Sequence, residues 1–299
     1  MTEAEERIRA DLAAQIKEPV REVRPIPEGH SGFTYWVELE GRRGVLRLPP
    51  PGARIAGPAD IPRQARIMAA LNAQGLPVPA IVATSAEPVV DGRPFVLMEA
   101  IRGDRVEQAI DSGSDPLDLA SSAVDVLRRF QAVPCENTGI GGEDPMPLEG
   151  ELARWSWLME RAPAELTGQA PRLAQLLAER QPHPRPPVLV HGDYHFGNML
   201  FDGGRVAAVV DWEIAQLGQP LLDPCCISLS HVPADAVLEM YGADRQDYRW
   251  YLALTLYKYA AIFGYNLMLH RRGKRPDPSY ELRTDTILAF IDQGISVLA

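Results

Sequence analysis

Residues 191–198 read HGDYHFGN, and residues 211–213, beyond two short apolar runs, read DWE. These two stretches place Asp193, Asn198 and Asp211 in that order along the chain. Phosphoryl transfer from a nucleotide uses one carboxylate to orient and deprotonate the acceptor hydroxyl. It uses an amide oxygen and a second carboxylate to hold magnesium. The order and spacing of the three residues therefore predict a kinase-like phosphotransferase.

The polar residues of these stretches divide into a base and two metal ligands. Asp193 follows the apolar run 188–190 and can accept the proton of a substrate hydroxyl, whereas taken alone it would be an Asp that caps a turn. Asn198 and Asp211 offer the hard oxygen atoms that suit Mg²⁺ bound to phosphates. Glu213 has two open interpretations, a contribution to the metal shell or a structural ion pair with an arginine of the C-terminal half.

Two histidines of the same stretch, His191 and His195, have the spacing of a zinc-binding pair on a helix. No third ligand of suitable type is near them and no helix is expected there, so the pattern disfavours zinc. His191 is instead expected to brace the loop through a backbone hydrogen bond. His195 has no assigned role.

The composition is that of a soluble globular protein. Of 299 residues, 46% are apolar and 23% are charged, which is enough for a sizeable core. The net charge of −10 disfavours a nucleic-acid partner, whose phosphates would be repelled, and is compatible with a cationic substrate. The three cysteines give no disulfide framework and no metal spacing, so a cytoplasmic location is expected.

The longest apolar run, Trp250–Leu269, carries Lys258 at its centre. A central lysine costs about 2.5–3.5 kcal/mol in a bilayer, so the run predicts a buried helix and no membrane span. The N-terminal residues 1–16 are charged and amphipathic and lack the apolar core of a signal peptide. The sequence leaves both a monomer and a homodimer open.

Patterns along the chain change near residue 101. Before it, short β-rich runs such as 33–39 and 44–48 alternate with turn residues, and after it most segments have helical periodicity. The prediction is an α+β fold with a small β-rich N-terminal lobe, residues 1–101, which binds nucleotide. Residues 102–299 would form a larger α-helical lobe with the catalytic and substrate-binding parts.

The segments HGDYHFGN and VVDWE resemble those of the aminoglycoside phosphotransferase and choline kinase superfamily. This resemblance runs from about residue 20 to about residue 295 and implies small-molecule kinases with a two-lobed protein-kinase-like fold. Residues 45–52, VLRLPPPG, and 154–157, RWSW, are similar to the branch fused to some acyl-CoA dehydrogenases. That branch phosphorylates hydroxyacyl-CoA.

The resemblance carries roles over to individual residues. Asp193 matches the catalytic base, and Asn198 and Asp211 match the magnesium ligands. Residues 28–35 match the loop that covers the phosphates, in which Ser31 and Gly32 would bind phosphate.

Residues 95–101 match the hinge between the lobes, so the backbones of Glu99 and Ile101 would bind the nucleotide base. Asp223 matches an Asp that steadies the catalytic loop. The implied cofactors are Mg²⁺ and a phosphate donor, ATP or GTP, and the implied partner is a small molecule with a hydroxyl group.

Two positions depart from the family pattern. The phosphate-binding lysine of the third strand is replaced by Arg47, which stays charged and can fork onto phosphate. The acid expected on the following helix is replaced by Gln64, which can accept one hydrogen bond from Arg47 but cannot neutralise it. The sequence therefore predicts a nucleotide clamp that is built differently or weakened.

Three functions remain in view. The first is a kinase for a hydroxyacyl-CoA-like or other small metabolite, and the second is an aminoglycoside or macrolide antibiotic phosphotransferase. The third is a catalytically weak nucleotide-binding protein, suggested by Arg47 and Gln64. The basic run His270–Arg275 would contact CoA phosphates in the first case, although favourable charge at a helix C-terminus also explains it.

Overall fold

The computed structural model of the chain describes residues 2–26 and 33–299. Its helices are α1 (Glu3–Gln15), α2 (Ile61–Asn72), α3 (Val106–Asp111), α4 (Pro116–Gln131), α5 (Leu148–Met159), α6 (Ala170–Glu179), α7 (Pro224–Ile227), α8 (Ala234–Tyr241), α9 (Arg245–Arg271) and α10 (Thr284–Leu298). Its strands are β1 (Glu22–Pro25), β2 (Phe33–Glu38), β3 (Arg43–Leu48), β4 (Ile81–Val90), β5 (Arg93–Glu99), β6 (Val188–Val190), β7 (Met199–Asp202), β8 (Arg205–Val209) and β9 (Gln216–Gly218). The β-rich beginning and helical remainder confirm the predicted α+β class.

The chain forms two compact units, each made of two separate segments. The first unit contains Met1–Glu143 and His191–Gln216. The second contains Asp144–Val190 and Leu217–Ala299. The functional boundary expected near residue 101 stays a prediction.

The first unit is built on a five-stranded antiparallel sheet with the order β1-β2-β3-β5-β4. Alternate residues of a strand point to opposite faces. In β3, Leu46 and Leu48 are therefore buried in the core that α1 covers with Ile8 and Leu12. Arg47 lies between the two leucines and projects from the opposite face of the sheet.

Helix α2 begins at a capped turn, because Asp60 Oδ1 accepts a hydrogen bond from the backbone N–H of Arg63 (3.0 Å). Its buried face carries Ile67 and Leu71. Gln64 is on the same buried side and is only 1% exposed. A polar side chain in this position needs a hydrogen-bonding partner within the fold.

Helix α4 packs against the segment that carries the HGDYHFGN stretch. The ring of Phe130 meets Tyr194 edge-on at 6.4 Å and Trp212 at 5.1 Å between centroids. The Tyr194 hydroxyl donates to the carbonyl of Ala123 (2.9 Å). Packing on α4 therefore fixes the HGDYHFGN loop through Tyr194, which is not one of the candidate site residues.

The second unit is mainly helical, and α9 is its longest helix. Most of α9 between Tyr248 and Ala261 is buried, which explains the apolar run in the sequence. Lys258, 6% exposed, has its ammonium 5.2 Å from the ring of Trp155 and 4.9 Å from that of Tyr259. Within the described ranges, no helix is long and apolar enough to cross a membrane.

Candidate active site

The loop between β6 and β7 depends on a glycine at its sharpest point. Gly192 has φ +83°, and a Cβ there would lie 2.8 Å from the carbonyl oxygen of Ile214. Only glycine fits without moving one of the two backbone segments. The loop is thereby held directly against the residues that follow the DWE stretch.

His191 joins the same two segments by hydrogen bonds. Its Nδ1 accepts from the backbone N–H of Asp193 (3.1 Å), so the ring proton is on Nε2, which lies 2.9 Å from the carbonyl oxygen of Val210. Burial lowers the pKa of His191 to about 4, against the opposing effect of the Asp193 charge. The predicted bracing role of His191 is confirmed by these bonds, and the imidazole is neutral at pH 7.

Asp193 and Asn198 are in direct contact at the centre of the loop. The amide nitrogen Nδ2 of Asn198 donates to the Asp193 carboxylate Oδ2 (2.8 Å) and to the Asp193 carbonyl (2.9 Å). Both protons of the amide are therefore used to hold Asp193. Within the described residues, Asn198 Oδ1 accepts no hydrogen bond, so this oxygen is available to a cation.

His195 lies on the other side of the same carboxylate. Its Nε2 is 3.4 Å from Asp193 Oδ2, and its Nδ1 accepts from the backbone N–H of Gly197 (3.0 Å). In the neutral imidazole the proton is therefore on Nε2, facing Asp193. This contact could not be predicted from the sequence, because it depends on the short 3₁₀ turn Phe196–Asn198.

Asp211 is brought beside Asn198 by the hairpin of β7 and β8. The N–H of Val210 donates to the carbonyl of Asn198 (2.9 Å), and Asp211 follows immediately. Its backbone has φ +67°, a left-handed conformation that is uncommon for a residue with a Cβ. Such a conformation is often retained where a side chain must be aimed, and here it accompanies a candidate metal ligand.

Arg47 reaches both acids of the DWE stretch. Its Nη1 donates to Asp211 Oδ1 at 2.9 Å, and its Nη2 donates to Glu213 Oε2 at 3.3 Å. The side chains are 11%, 28% and 18% exposed, respectively. Burial by itself lowers the pKa of Arg47, and the charges of the two acids outweigh that effect, so the pKa is raised.

Glu213 is thus paired with an arginine, which was one of its two open interpretations. The partner, Arg47, comes from strand β3 and not from the C-terminal half. The sequence could not choose between arginines, because the pairing joins a strand and a loop that are far apart in the chain. The absence of an acid near Gln64 was the one available signal that Arg47 needed another counter-ion.

Gln64 does not make the hydrogen bond to Arg47 that its position allows. Its Nε2 donates to the carbonyl of Pro58 (2.9 Å), and its buried Oε1 accepts no bond from the residues that the structure describes. Helix α2 contacts the DWE loop through a cation instead, since Arg63 donates to the carbonyl of Ala215 (2.9 Å).

The hinge residues have the backbone groups that a nucleotide base would need. Glu99 ends β5, and its N–H donates to the carbonyl of Ala80 (2.9 Å). In the described part of the chain, the N–H of Ile101 donates to no carbonyl. Ser31 and Gly32, the predicted phosphate-loop residues, lie outside the described residues.

The residues present fit a magnesium ion that is shared with a nucleotide. Mg²⁺ is usually bound by one or two protein oxygens together with waters and substrate phosphates. Asn198 Oδ1 and Asp211 Oδ2 accept no hydrogen bonds from residues 2–26 and 33–299, and they belong to adjacent backbone segments. Over those same ranges, no group of three or more His, Cys, Asp or Glu side chains could hold a metal without such help.

One arginine of the basic run at the end of α9, Arg271, is engaged in ion pairs within the second unit. Arg271 contacts Glu281 at 2.8 Å and Glu165 at 2.7 Å. These hydrogen-bonded carboxylates raise its pKa. The pairing favours the structural explanation of the run over a CoA-phosphate site. Asp223, which the resemblance assigned to the catalytic loop, is fully buried in this unit.

Sequence comparison finds relatives with two kinds of name. The mouse acyl-CoA dehydrogenase family member 10 is 28% identical over 76% of this chain, and homoserine kinase of Pseudomonas aeruginosa is 28% identical over 76% of it. The match covers 22% of the first protein and 73% of the second. The chain thus spans about a quarter of the length of the acyl-CoA dehydrogenase relatives it matches.

Solved structures show the same fold. A protein of Ralstonia eutropha assigned as an aminoglycoside phosphotransferase has a TM-score of 0.77 at 20% identity, covering 98% of this chain and 97% of that one. A thermostable mutant solved with ADP and hygromycin B has a TM-score of 0.67 at 16% identity, covering 92% and 95%. A complex with GDP and kanamycin has a TM-score of 0.68 at 17% identity, covering 97% and 96%.

These structures confirm the predicted kinase-like fold. They also agree with the resemblance that the HGDYHFGN and DWE stretches indicated. The model of the phosphotransferase enzyme family matches residues 22–254, which is most of the chain. The chain therefore belongs to the phosphotransferase enzyme family.

Proposed function

We propose that this protein is a Mg²⁺-dependent small-molecule kinase, which transfers the γ-phosphate of ATP or GTP to a hydroxyl group. The observation that carries the proposal is the hydrogen bond from Asn198 Nδ2 to Asp193 Oδ2 (2.8 Å), next to the strand end that presents Asp211. The candidate base Asp193 and the candidate metal ligands Asn198 and Asp211 thus flank one short hairpin, β7 and β8. Phosphoryl transfer depends mainly on such positioning and on charge neutralisation.

In this proposal Asp193 accepts the proton of the acceptor hydroxyl as its oxygen bonds to the γ-phosphorus. The bond from that phosphorus to the bridging oxygen breaks, and the nucleoside diphosphate leaves. Asn198 and Asp211 would hold magnesium, which supplies charge neutralisation on the phosphates when bound. Arg47 would contact the phosphates from the sheet.

The remaining contacts would place the nucleotide. The carbonyl of Glu99 and the N–H of Ile101 offer one acceptor and one donor to the base. The loop with Ser31 and Gly32 would cover the phosphates. Neighbouring structures that contain ADP or GDP support a nucleotide donor of either kind.

The acceptor we propose is a small metabolite with a hydroxyl group, with a hydroxyacyl-CoA-like molecule as the first candidate. The relatives named as acyl-CoA dehydrogenase family members support the acyl-CoA class, and the relative named homoserine kinase supports a small hydroxyl compound. An aminoglycoside is the second candidate, because neighbouring structures contain hygromycin B or kanamycin.

The test is thermal unfolding with ATP and with GTP, each with and without magnesium. Nucleotide at a hundred times its dissociation constant should stabilise the native state by about 2.7 kcal/mol. Asp211→Asn should remove the magnesium-dependent part, since Asn tolerates the left-handed backbone and lacks the charge. Asp202→Asn, at an exposed strand end of the same unit, is the matched control and should behave as wild type.

Turnover then identifies the acceptor. Release of nucleoside diphosphate would be measured with a hydroxyacyl-CoA, homoserine and kanamycin in parallel, with Asp193→Asn as the inactive control. Stabilisation by neither nucleotide would refute the proposal and favour a protein without kinase activity. Turnover that survives Asp193→Asn would refute the assigned base.

A further inference from the structure

The counter-ion of Arg47 comes from an unexpected part of the chain. The guanidinium is almost buried, and a buried charge is tolerated only when it is paired and hydrogen-bonded. Arg47 is bonded to Asp211 at 2.9 Å and to Glu213 at 3.3 Å, both on the loop that follows β8. The clamp side chain and the candidate metal ligand thus share one ion network.

Helix α2 supplies no acid to this network. The side chain of Gln64 is neutral, and its amide is bonded to Pro58. The charged residue that α2 does direct at the DWE loop is Arg63, which contacts Ala215 and is itself neutralised by Glu143 (2.6 Å). Negative charge at Arg47 therefore has to come from the loop.

The two acids of the loop are not equivalent once magnesium is present. Without metal, one positive side chain, Arg47, is shared by two carboxylates. If Asp211 binds a divalent cation, most of its charge is committed to the metal. Arg47 then lies beside that cation, and Glu213 is the remaining carboxylate to which it is bonded. Loss of Glu213 would leave two positive centres close together, with the phosphates alone to separate them.

We propose that Glu213 is the positioning residue of the nucleotide clamp: it anchors and neutralises Arg47, the task that an acid on α2 would otherwise perform. Glu213 acts through Arg47 and does not bind the metal. The inference rests on the proposed function, because the clamp matters only if a nucleotide binds. It also explains how a chain with Gln64 keeps a charged residue at position 47.

The test is a double-mutant cycle on nucleotide binding, with Glu213→Gln, Arg47→Met and the double variant. At saturating magnesium, Glu213→Gln should raise the dissociation constant and KM for nucleotide by about tenfold. It should change kcat less than KM. In the Arg47→Met background the same substitution should change nucleotide affinity by less than about twofold, because the side chain that Glu213 holds is gone.

A matched control comes from Glu38 on the neighbouring strand β2, which pairs with an arginine of β3. Glu38→Gln removes the acid partner of Arg43, 2.6 Å away on β3, and should leave nucleotide affinity unchanged. If Glu213→Gln does not fold, Glu213→Asp provides the test, since it keeps the charge but shortens the reach. That variant should weaken nucleotide binding only when Arg47 is present.

Each other outcome overturns the inference. Equal effects of Glu213→Gln in both backgrounds would mean that the two residues act independently. A rise in the magnesium concentration for half-maximal activity, again in both backgrounds, would make Glu213 a metal ligand. If the wild type bound no nucleotide, the proposed function would fail and this inference with it. If the wild type binds nucleotide but the effects of the Glu213 and Arg47 substitutions on affinity are additive, only the inference is refuted.

Discussion

The neutral, buried His191 should make the stability of the protein fall in mildly acidic solution. The folded-state pKa is about 4 and the ordinary value is 6.5. Well above pH 6.5 neither state holds the proton, so the residue has almost no effect on the pH dependence. As the pH falls below 6.5, His191 binds a proton in the unfolded state but not in the folded state. The free energy of unfolding therefore decreases until about pH 4.

The size of the loss follows from the two values. A separation of 2.5 pKa units corresponds to about 3.4 kcal/mol in total, at 1.36 kcal/mol per unit. At pH 5 the expected part is about 2 kcal/mol, and at pH 7 it is about 0.2 kcal/mol. No discount for solvent is needed, because the side chain is 1% exposed.

The assay is urea unfolding of the wild type and His191→Gln at pH 7 and pH 5. Gln can still donate to the Val210 carbonyl, and it does not titrate. The wild type should lose about 2 kcal/mol more than the variant over this interval, since the other titrating groups are common to both. Parallel losses in the two proteins would show that His191 is not buried as a neutral base, and would refute the reasoning.

Three further results are expected. Asp193→Asn should lower kcat by about 10²–10⁴-fold while nucleotide affinity stays within about threefold, and retained turnover would contradict the assignment. Gly192→Ala should destabilise the fold by about 1–3 kcal/mol in urea, because its φ is +83° and the new Cβ would meet the Ile214 carbonyl; wild-type stability would count against the strained turn. Arg47→Met should raise the affinity for Mn²⁺ by about tenfold, because Arg47 competes with the metal for Asp211. The affinity would be measured by Mn²⁺ titration without nucleotide, and an unchanged value would argue that the ion pair does not hold the Asp211 carboxylate.

Much of the fold followed from local patterns in the sequence. The β-rich run 44–48 correctly predicted strand β3, and the lysine within the α9 run argued correctly for a buried helix. These features depend on residues that are close in the chain. The bracing hydrogen bond of His191 was also foreseeable, since a buried histidine in a tight loop needs a backbone partner.

The ion network around Arg47 could not be predicted in the same way. It requires that β3 and the DWE loop meet, and it requires a particular rotamer of Glu213. The sequence showed that the acid on α2 was missing, but not which distant carboxylate replaced it. The contact of His195 with Asp193 was equally unpredictable from the sequence, because a 3₁₀ turn sets the direction of the imidazole.

The division of the chain into units made of alternating segments has a consequence for its synthesis. The segment His191–Gln216, with Asp193, Asn198 and Asp211, leaves the ribosome after Asp144–Val190, which belongs to the other unit. The first unit therefore cannot finish folding when residue 143 emerges, and the second must wait for Leu217–Ala299. Translation would build the two units in an interleaved order, and a truncated chain ending at Glu143 would lack every candidate residue for catalysis and metal binding. Separate expression of the two units would accordingly require cuts at all three crossings, with residue 143 joined to residue 191 in one unit and residue 190 joined to residue 217 in the other.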